Sequence, residues 1–167
     1  MVFLDLCSKT GFGYKRQGNL TPKMKSRIVN KFKNLRSRLL KGVPACNIMV
    51  TCRKDLYFEV SGKVTRFAKD ARIAKFMWCH KSTKGTNKYR NCTHAIHFYD
   101  INLNPAVKQY LEMSKEQENL WRQSELVQWL YRTDLRNADS NKTIELYMAS
   151  EEMMALVEDW LSDCPMQ

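Results

Sequence analysis

The chain changes character along its length: short apolar runs fill residues 46–101, and patterns typical of helices lie on both sides of them. Runs of four to eight apolar and β-branched residues between turn-forming residues predict strands. The runs of this kind are Cys46–Cys52, Asp55–Val60, Lys63–Phe67 and Thr93–Ile101. Ser61 and Gly62 between the second and third predict a hairpin turn. For Ile73–Cys79, periodicity leaves a core strand and a short helix open.

Helix starts are marked at both ends of this region. Thr21 followed by Pro22 predicts a helix that runs to about Leu40 and stops at Gly42. Its apolar residues recur every three or four positions and form one stripe on a cationic helix. After Asn104 we predict a helix near 105–113, a second near 115–132, a strand over Thr143–Met148 and a last helix from Ser150.

These elements predict an α+β fold, a small antiparallel sheet packed with the N-terminal basic amphipathic helix and the C-terminal helices. Gly11, Gly13 and Gly18 interrupt any pattern before Thr21. We therefore divide the chain into a flexible basic arm, residues 1–20, and a single α+β domain, residues 21–167.

Composition excludes several classes of protein. Hydrophobic residues make up 44% of the 167, including 18 aromatic residues, which excludes a disordered chain. No run of 18 apolar residues predicts a membrane-spanning helix, and the start lacks the pattern of a signal peptide. Six cysteines in a chain without that pattern predict reduced thiols and a location in the cytoplasm or on the periphery of a membrane.

The charge is divided unevenly between the two parts of the chain. The formal net charge is +11, yet residues 1–100 carry 22 basic and 5 acidic side chains, whereas residues 101–167 carry 6 and 12. Such a cationic part predicts a polyanionic partner, either RNA or nucleoprotein or an anionic membrane surface. The opposite charges of the two parts predict self-association. The predicted polyanion-binding residues are Lys23, Lys25, Arg27, Lys31, Lys33, Arg36, Arg38, Lys81, Lys84, Lys88 and Arg90.

Metal binding and catalysis have few candidates. Zinc prefers four Cys or His ligands, commonly delivered as close pairs, and no Cys-x-x-Cys pair occurs here. The nearest zinc candidates are Cys79, His80, Cys92 and His94, and we predict no metal and no cofactor. Nucleophilic catalysis by Cys92 with His94 would need a base aimed at the thiol, which residues two apart on a strand do not provide. We predict a protein without enzymatic activity.

The last four residues match a prenylation box that begins at Cys164, although the residue after it is Pro165. The acidic stretch before Cys164 lacks the usual basic segment. A lipid on Cys164 is thus a secondary prediction, with the cationic helix as the second membrane-binding element.

The end of the chain resembles the closing part of rhabdovirus matrix proteins. The similar features are Thr143–Leu146, then Ser150–Glu152, then Trp160, together with the size and the basic N-terminal part. This resemblance implies a virion protein of the host cytoplasm that condenses nucleocapsids under a lipid envelope. The predicted function is a basic structural or adaptor protein that binds anionic surfaces and self-associates. The alternative is a nucleic-acid-binding regulator, such as a viral suppressor of host defence, with or without zinc.

Overall fold

A five-stranded parallel sheet forms the centre of the protein in a computed structural model, which describes residues 2–3, 13–83 and 85–163. The strands lie in the order β1-β5-β4-β2-β3. Their bounds are Val2–Phe3 for β1, Ile48–Thr51 for β2, Met77–Trp78 for β3, His94–His97 for β4 and Glu145–Met148 for β5. Register is fixed by pairs such as Val50 with Ile96 and Ile96 with Tyr147.

Seven helices accompany the sheet in the described residues. They are α1 (Tyr14–Gly18), α2 (Pro22–Arg38), α3 (Lys54–Tyr57), α4 (Arg66–Asp70), α5 (Pro105–Tyr110), α6 (Lys115–Leu130) and α7 (Glu151–Asp163). Thr21 caps α2 by accepting a hydrogen bond from the Met24 backbone N–H, as its sequence predicts. Ser114 and Gln117 form the predicted reciprocal capping box at the start of α6.

The prediction of an antiparallel sheet is wrong, because all four strand pairings are parallel. The predicted turn at Ser61 and Gly62 is present, since Phe58 bridges Val64 antiparallel and the Glu59 N–H donates to the Lys63 carbonyl oxygen at 2.8 Å. It lies between α3 and α4 and adds no strand to the sheet. Parallel strands need crossover connections and are covered on both faces. Every residue of β2 is accordingly buried, which excludes a strand with one wet face.

Helices cover both faces of the sheet. On one face, Ile28, Phe32 and Leu35 of α2 pack with Val50 and Ile96, which lie side by side on β2 and β4. On the other face, α6 and α7 bury a second cluster against the neighbouring positions of the same strands. Its strand residues are Met49, Ala95, Leu146 and Met148. The sheet and the helices on its two faces therefore form three layers, with one buried cluster between each pair of layers.

An ion pair between a buried arginine and a half-exposed glutamate ties α6 to α7. The Arg122 side chain is only 1% exposed, and its guanidinium pairs with the carboxylate of Glu152. Arg122 Nε also donates to the Ile101 carbonyl oxygen at 2.6 Å. This pair lowers the pKa of Glu152, mainly through the hydrogen bond from Arg122. Over the described residues, no helix is long and apolar enough to cross a membrane.

His97 ends β4 inside the layer beneath α6. Its ring meets the Trp129 ring edge to face, with 4.9 Å between centroids, and neither ring nitrogen has a hydrogen-bond partner among the described residues. Burial lowers the pKa of His97 to about 3, and the charge of Lys81 acts in the same direction. The folded protein therefore holds His97 in its neutral form.

Replacing His97 by Phe tests this assignment. In the unfolded chain His97 takes up a proton below about pH 6.5, whereas the folded protein does not until about pH 3. As the pH is lowered through this window, the free energy of unfolding of the wild type should therefore fall more steeply than that of His97→Phe. The difference in slope should reach about 1.4 kcal/mol per pH unit. Urea unfolding of both proteins between pH 7 and pH 4 measures the difference. Parallel curves would show that His97 titrates normally in the fold.

Candidate functional site

The order of the strands creates a crevice between β2 and β4. β2 and β4 are direct neighbours in the sheet. From β2 the chain moves outward to β3 at one lateral end of the strand order, and from β4 it moves to β5 in the opposite direction. Connections therefore diverge from this pair, and the chain leaves the carboxyl ends of the two strands in opposite directions along the sheet. Open parallel sheets bind their ligands at such a switch point.

Gln17 of α1 bridges the two carboxyl ends at this point. Its side chain is 1% exposed, and its Nε2 donates to the carbonyl oxygen of Phe98 at 2.6 Å. Its Oε1 accepts a hydrogen bond from the Arg53 backbone N–H at 2.7 Å. One amide thus satisfies a backbone acceptor just after β4 and a backbone donor just after β2, which holds α1 across the crevice.

Two glycines allow α1 to lie this close to the sheet. A Cβ on Gly18 would lie 1.9 Å from Nη1 of Arg53, whose Nε pairs with Asp55 at 2.7 Å. A Cβ on Gly13 would lie 2.9 Å from Nδ2 of Asn102. At both positions the absence of a side chain leaves room for a polar group, which a larger residue would push aside.

An open pocket of about 700 Å³ lies beside this contact, at the carboxyl edge of the sheet. Its walls are α1, the segment after β3 and the segment after β4. Basic groups come from the first two: Lys15 and Arg16 from α1, and His80 and Lys81 from beyond β3. The described lining also includes Tyr99 and the amides of Asn102 and Asn104, and it includes no carboxylate. We call these four basic residues with Tyr99 and Asn102 the carboxyl-edge pocket.

Two basic groups of the carboxyl-edge pocket have lowered pKa values. Lys81 Nζ lies 5.0 Å from the centroid of the Tyr99 ring, and burial lowers the pKa of this ammonium while the charge of Glu125 opposes the effect. Burial also lowers the pKa of His80, and the charges of Lys81 and Lys54 lower it further. Cations that are desolvated and repel one another are stabilised when an anion binds between them.

The predicted polyanion-binding residues that the structure describes are distributed over α2 and several separate concavities. Seven of them lie along α2, where Lys25 and Lys33 line a groove with Arg66 and Asp70 and Arg36 lines a separate cleft. Lys81 lies in the carboxyl-edge pocket, whereas Lys88 lies over the ring of Tyr89. Arg90 lines a small hollow with Arg136. Lys84 lies outside the described residues.

The zinc candidates are divided between two edges of the sheet. Cys79 and His80 follow β3 at the carboxyl edge, whereas Cys92 and His94 lie at the start of β4. No group of three or more metal-ligating side chains occurs among the described residues. Burial raises the pKa of the Cys92 thiol to about 12, which makes it a poor nucleophile. Cys164 lies outside the described residues.

Sequence reasoning missed most of the carboxyl-edge pocket. Lys15 and Arg16 were assigned to a flexible arm, and His80 was considered as a zinc ligand and not as part of an anion site. The local sequence holds no pattern that brings residues 15, 80 and 99 together, because they meet only through the parallel pairing of distant strands.

Comparison with known proteins decides the family. A family model described as the YonV C-terminal Rossmann-like domain matches residues 6–161. The chain belongs to this family. It is 26% identical over 152 residues to the SPbeta prophage-derived uncharacterized protein YonV of Bacillus subtilis (strain 168). The match covers 90% of the chain and 33% of that protein, so the chain spans about a third of its relative's length. No solved structure matches the chain significantly.

Membership of the YonV family corrects the predicted identity and function. The resemblance to rhabdovirus matrix proteins is wrong, since the family match covers nearly the whole chain and the relative comes from a Bacillus prophage. The matrix-like function and its virion setting are wrong for the same reason, and nothing in the comparisons supports the RNA-binding alternative. The strand-then-helix order at residues 143–161 is instead the last β-α unit of a Rossmann-like sheet.

Gln17→Ala tests whether this amide holds α1 in the Rossmann-like fold. The substitution removes two hydrogen bonds of a buried amide, to the Phe98 carbonyl and from the Arg53 N–H, so the free energy of unfolding should fall by about 2–4 kcal/mol. The matched control is Gln109→Ala on the exposed side of α5, which should change it by less than about 0.5 kcal/mol. Chemical denaturation measures both. An equal effect of the two substitutions would contradict the bridging role.

Proposed function

We propose that this domain binds a small organic molecule that carries phosphate, such as a nucleotide, in the carboxyl-edge pocket. The observation that carries the proposal is the convergence of Lys15, Arg16, His80 and Lys81 at the switch point of a parallel sheet, in a described lining without a carboxylate. Of the common biological groups, phosphate matches this set best, because it carries up to two charges and accepts several hydrogen bonds.

The residues offer distinct contacts to such a ligand. The ammonium of Lys81 is held over Tyr99 and acts as a point charge, whereas the planar guanidinium of Arg16 is suited to two parallel hydrogen bonds. His80 is exposed, and a bound anion would raise its pKa and add a fourth positive charge to those of Lys15, Arg16 and Lys81. The protein would therefore take up a proton at His80 when the ligand binds near neutral pH.

The remainder of the pocket favours a ligand larger than inorganic phosphate. Its volume of about 700 Å³ falls within the range of about 300–1,000 Å³ that is usual for organic ligands. The exposed amide of Asn102 provides a donor and an acceptor, and Leu103 and Pro105 provide apolar surface. A phosphate bound to an organic group with its own polar edge would use all three kinds of contact.

The proposal assigns a ligand and no reaction. The absence of enzymatic activity stays a prediction, as do the partners inferred from charge. A cytoplasmic location is also part of the proposal, and it is supported by the free thiols of Cys46, Cys52, Cys79 and Cys92.

Thermal unfolding in the presence of nucleotides tests the proposal. A nucleotide at one hundred times its dissociation constant stabilises the folded state by about 2.7 kcal/mol. For a domain of this size, that corresponds to a rise in melting temperature of about 5–10 °C. We expect this shift with at least one of the mono- and triphosphates of adenosine and guanosine, and a smaller shift with inorganic phosphate.

Lys81→Gln and its matched control locate the binding. Removing the Lys81 charge should weaken nucleotide binding about tenfold or more, because a charge-assisted hydrogen bond in a partly buried place is lost. Lys63→Gln makes the same chemical change at an exposed residue that does not line the pocket, so it should bind as the wild type does. Calorimetric titration compares the three proteins. Equal affinity in all of them, or no binding of any nucleotide, would refute the proposal.

A further inference from the structure

A second cationic cleft lies at the opposite edge of the sheet. It encloses about 350 Å³ between the end of α2, the end of α4 and the segment that leads into β3. Arg36, Lys69, Arg72 and Lys75 line it, and Phe76 and two alanines form its apolar part. Ala45 comes shortly before β2 and Phe76 comes directly before β3, which places the cleft at the amino edge. The carboxyl-edge pocket is therefore a separate site.

The charges of this amino-edge cleft are not balanced by the protein. Among the described residues, no carboxylate lies within ion-pair distance of Arg36, Lys69, Arg72 or Lys75, and none lines the cleft. Asp70, the acidic residue next in sequence to Lys69, pairs with Arg66 instead, at 3.6 Å. Four like charges around one concavity repel one another unless an anion lies between them.

Arg36 is fixed in place before any ligand arrives. Its Nη1 donates to the backbone carbonyl oxygens of Leu40 and Val43, the latter at 3.0 Å. Its guanidinium carbon lies 5.9 Å from the centroid of the Phe76 ring, where a cation–π contact adds to these hydrogen bonds. A fixed guanidinium loses little conformational freedom on binding an anion, which makes it a better anchor than a free surface arginine.

Arg72 occupies a backbone position that favours glycine. Its φ is 61°, in the left-handed region, directly after the cap of α4. The Arg72 N–H donates to the Lys69 carbonyl and the Ile73 N–H to the Ala68 carbonyl, both at 3.0 Å, which is the Schellman arrangement. Glycine is the usual residue at this place because a Cβ there is strained. This position holds an arginine instead, and the Arg72 side chain lines the cleft.

We propose that the amino-edge cleft binds a compact polyphosphate group, either free or as the phosphate chain of a nucleoside triphosphate. Four basic residues match the charge of a triphosphate more closely than that of a single phosphate. The fixed Arg36 and the strained Arg72 line the cleft from different elements, α2 and the turn after α4. The proposal does not rest on the ligand of the carboxyl-edge pocket, because the two sites share no residue.

Arg72→Gly separates binding from stability. Glycine relieves the strain at φ 61°, so the melting temperature should rise by about 2–4 °C. The same substitution removes one of four charges, so the dissociation constant for inorganic tripolyphosphate should increase about tenfold. A variant that is more stable and yet binds less tightly cannot owe the loss to misfolding. Lys75→Gln should weaken binding in the same direction without the gain in stability.

The titrations are done by calorimetry on the full chain that carries Lys81→Gln, which weakens the other site. Lys23→Gln is the matched control, because Lys23 is exposed on the first turn of α2, about 20 Å along the helix from Arg36. It should bind tripolyphosphate as its parent does. Adenosine triphosphate in a parallel titration shows whether the cleft prefers a free polyphosphate or a nucleotide. The proposal would be overturned if tripolyphosphate did not bind, or if Arg72→Gly and Lys75→Gln both bound it as tightly as their parent does.

Discussion

Parallel pairing of β2, β4 and β5 is the constraint on which the rest of the structure depends. Such strands are buried on both faces, so α2 must cover one side and α6 with α7 the other. Parallel pairing also brings all carboxyl ends to one edge and all amino ends to the other. The side chains that follow β2, β3 and β4 therefore meet, although they lie up to about fifty residues apart in sequence. The carboxyl-edge pocket is a direct consequence of this geometry.

The short helix α1 turns that edge into a site. Without Gln17, the Phe98 carbonyl and the Arg53 N–H would need other partners, and Lys15 and Arg16 would not face His80 and Lys81. The proposed binding and the stability are thus linked at one residue, since the Gln17 amide bonds the backbone of both strands' ends and belongs to the helix that carries Lys15 and Arg16. Part of the excess of basic residues in the first hundred positions thus lines two distinct concavities, one at each edge of the sheet.

Much of the local structure could be predicted from the sequence, whereas the arrangement of the strands could not. The cap at Thr21, the capping box at Ser114 and the cores of β2 and β4 follow from local patterns. Strand direction is a long-range property. The Ser61-Gly62 pair did mark a tight antiparallel turn, but that turn lies between α3 and α4 and adds no strand to the sheet. The fully apolar run from Ile48 to Val50 was the available sign of a strand buried on both faces. Lys81 was one of the predicted polyanion-binding residues and lines the carboxyl-edge pocket, but its neighbours in space could not be inferred.

The central claim is that this YonV-family domain binds its ligand at the carboxyl edge of the sheet, where the connections that follow β2 and β4 diverge. Backbone amide shifts, recorded by NMR during titration with the nucleotide that stabilises the protein most, test it directly. The account predicts that the largest changes fall on residues 13–18, 80–83 and 98–104, with saturation at one ligand per carboxyl-edge pocket. Changes confined to the helices that cover the faces of the sheet, with these three segments unmoved, would contradict it.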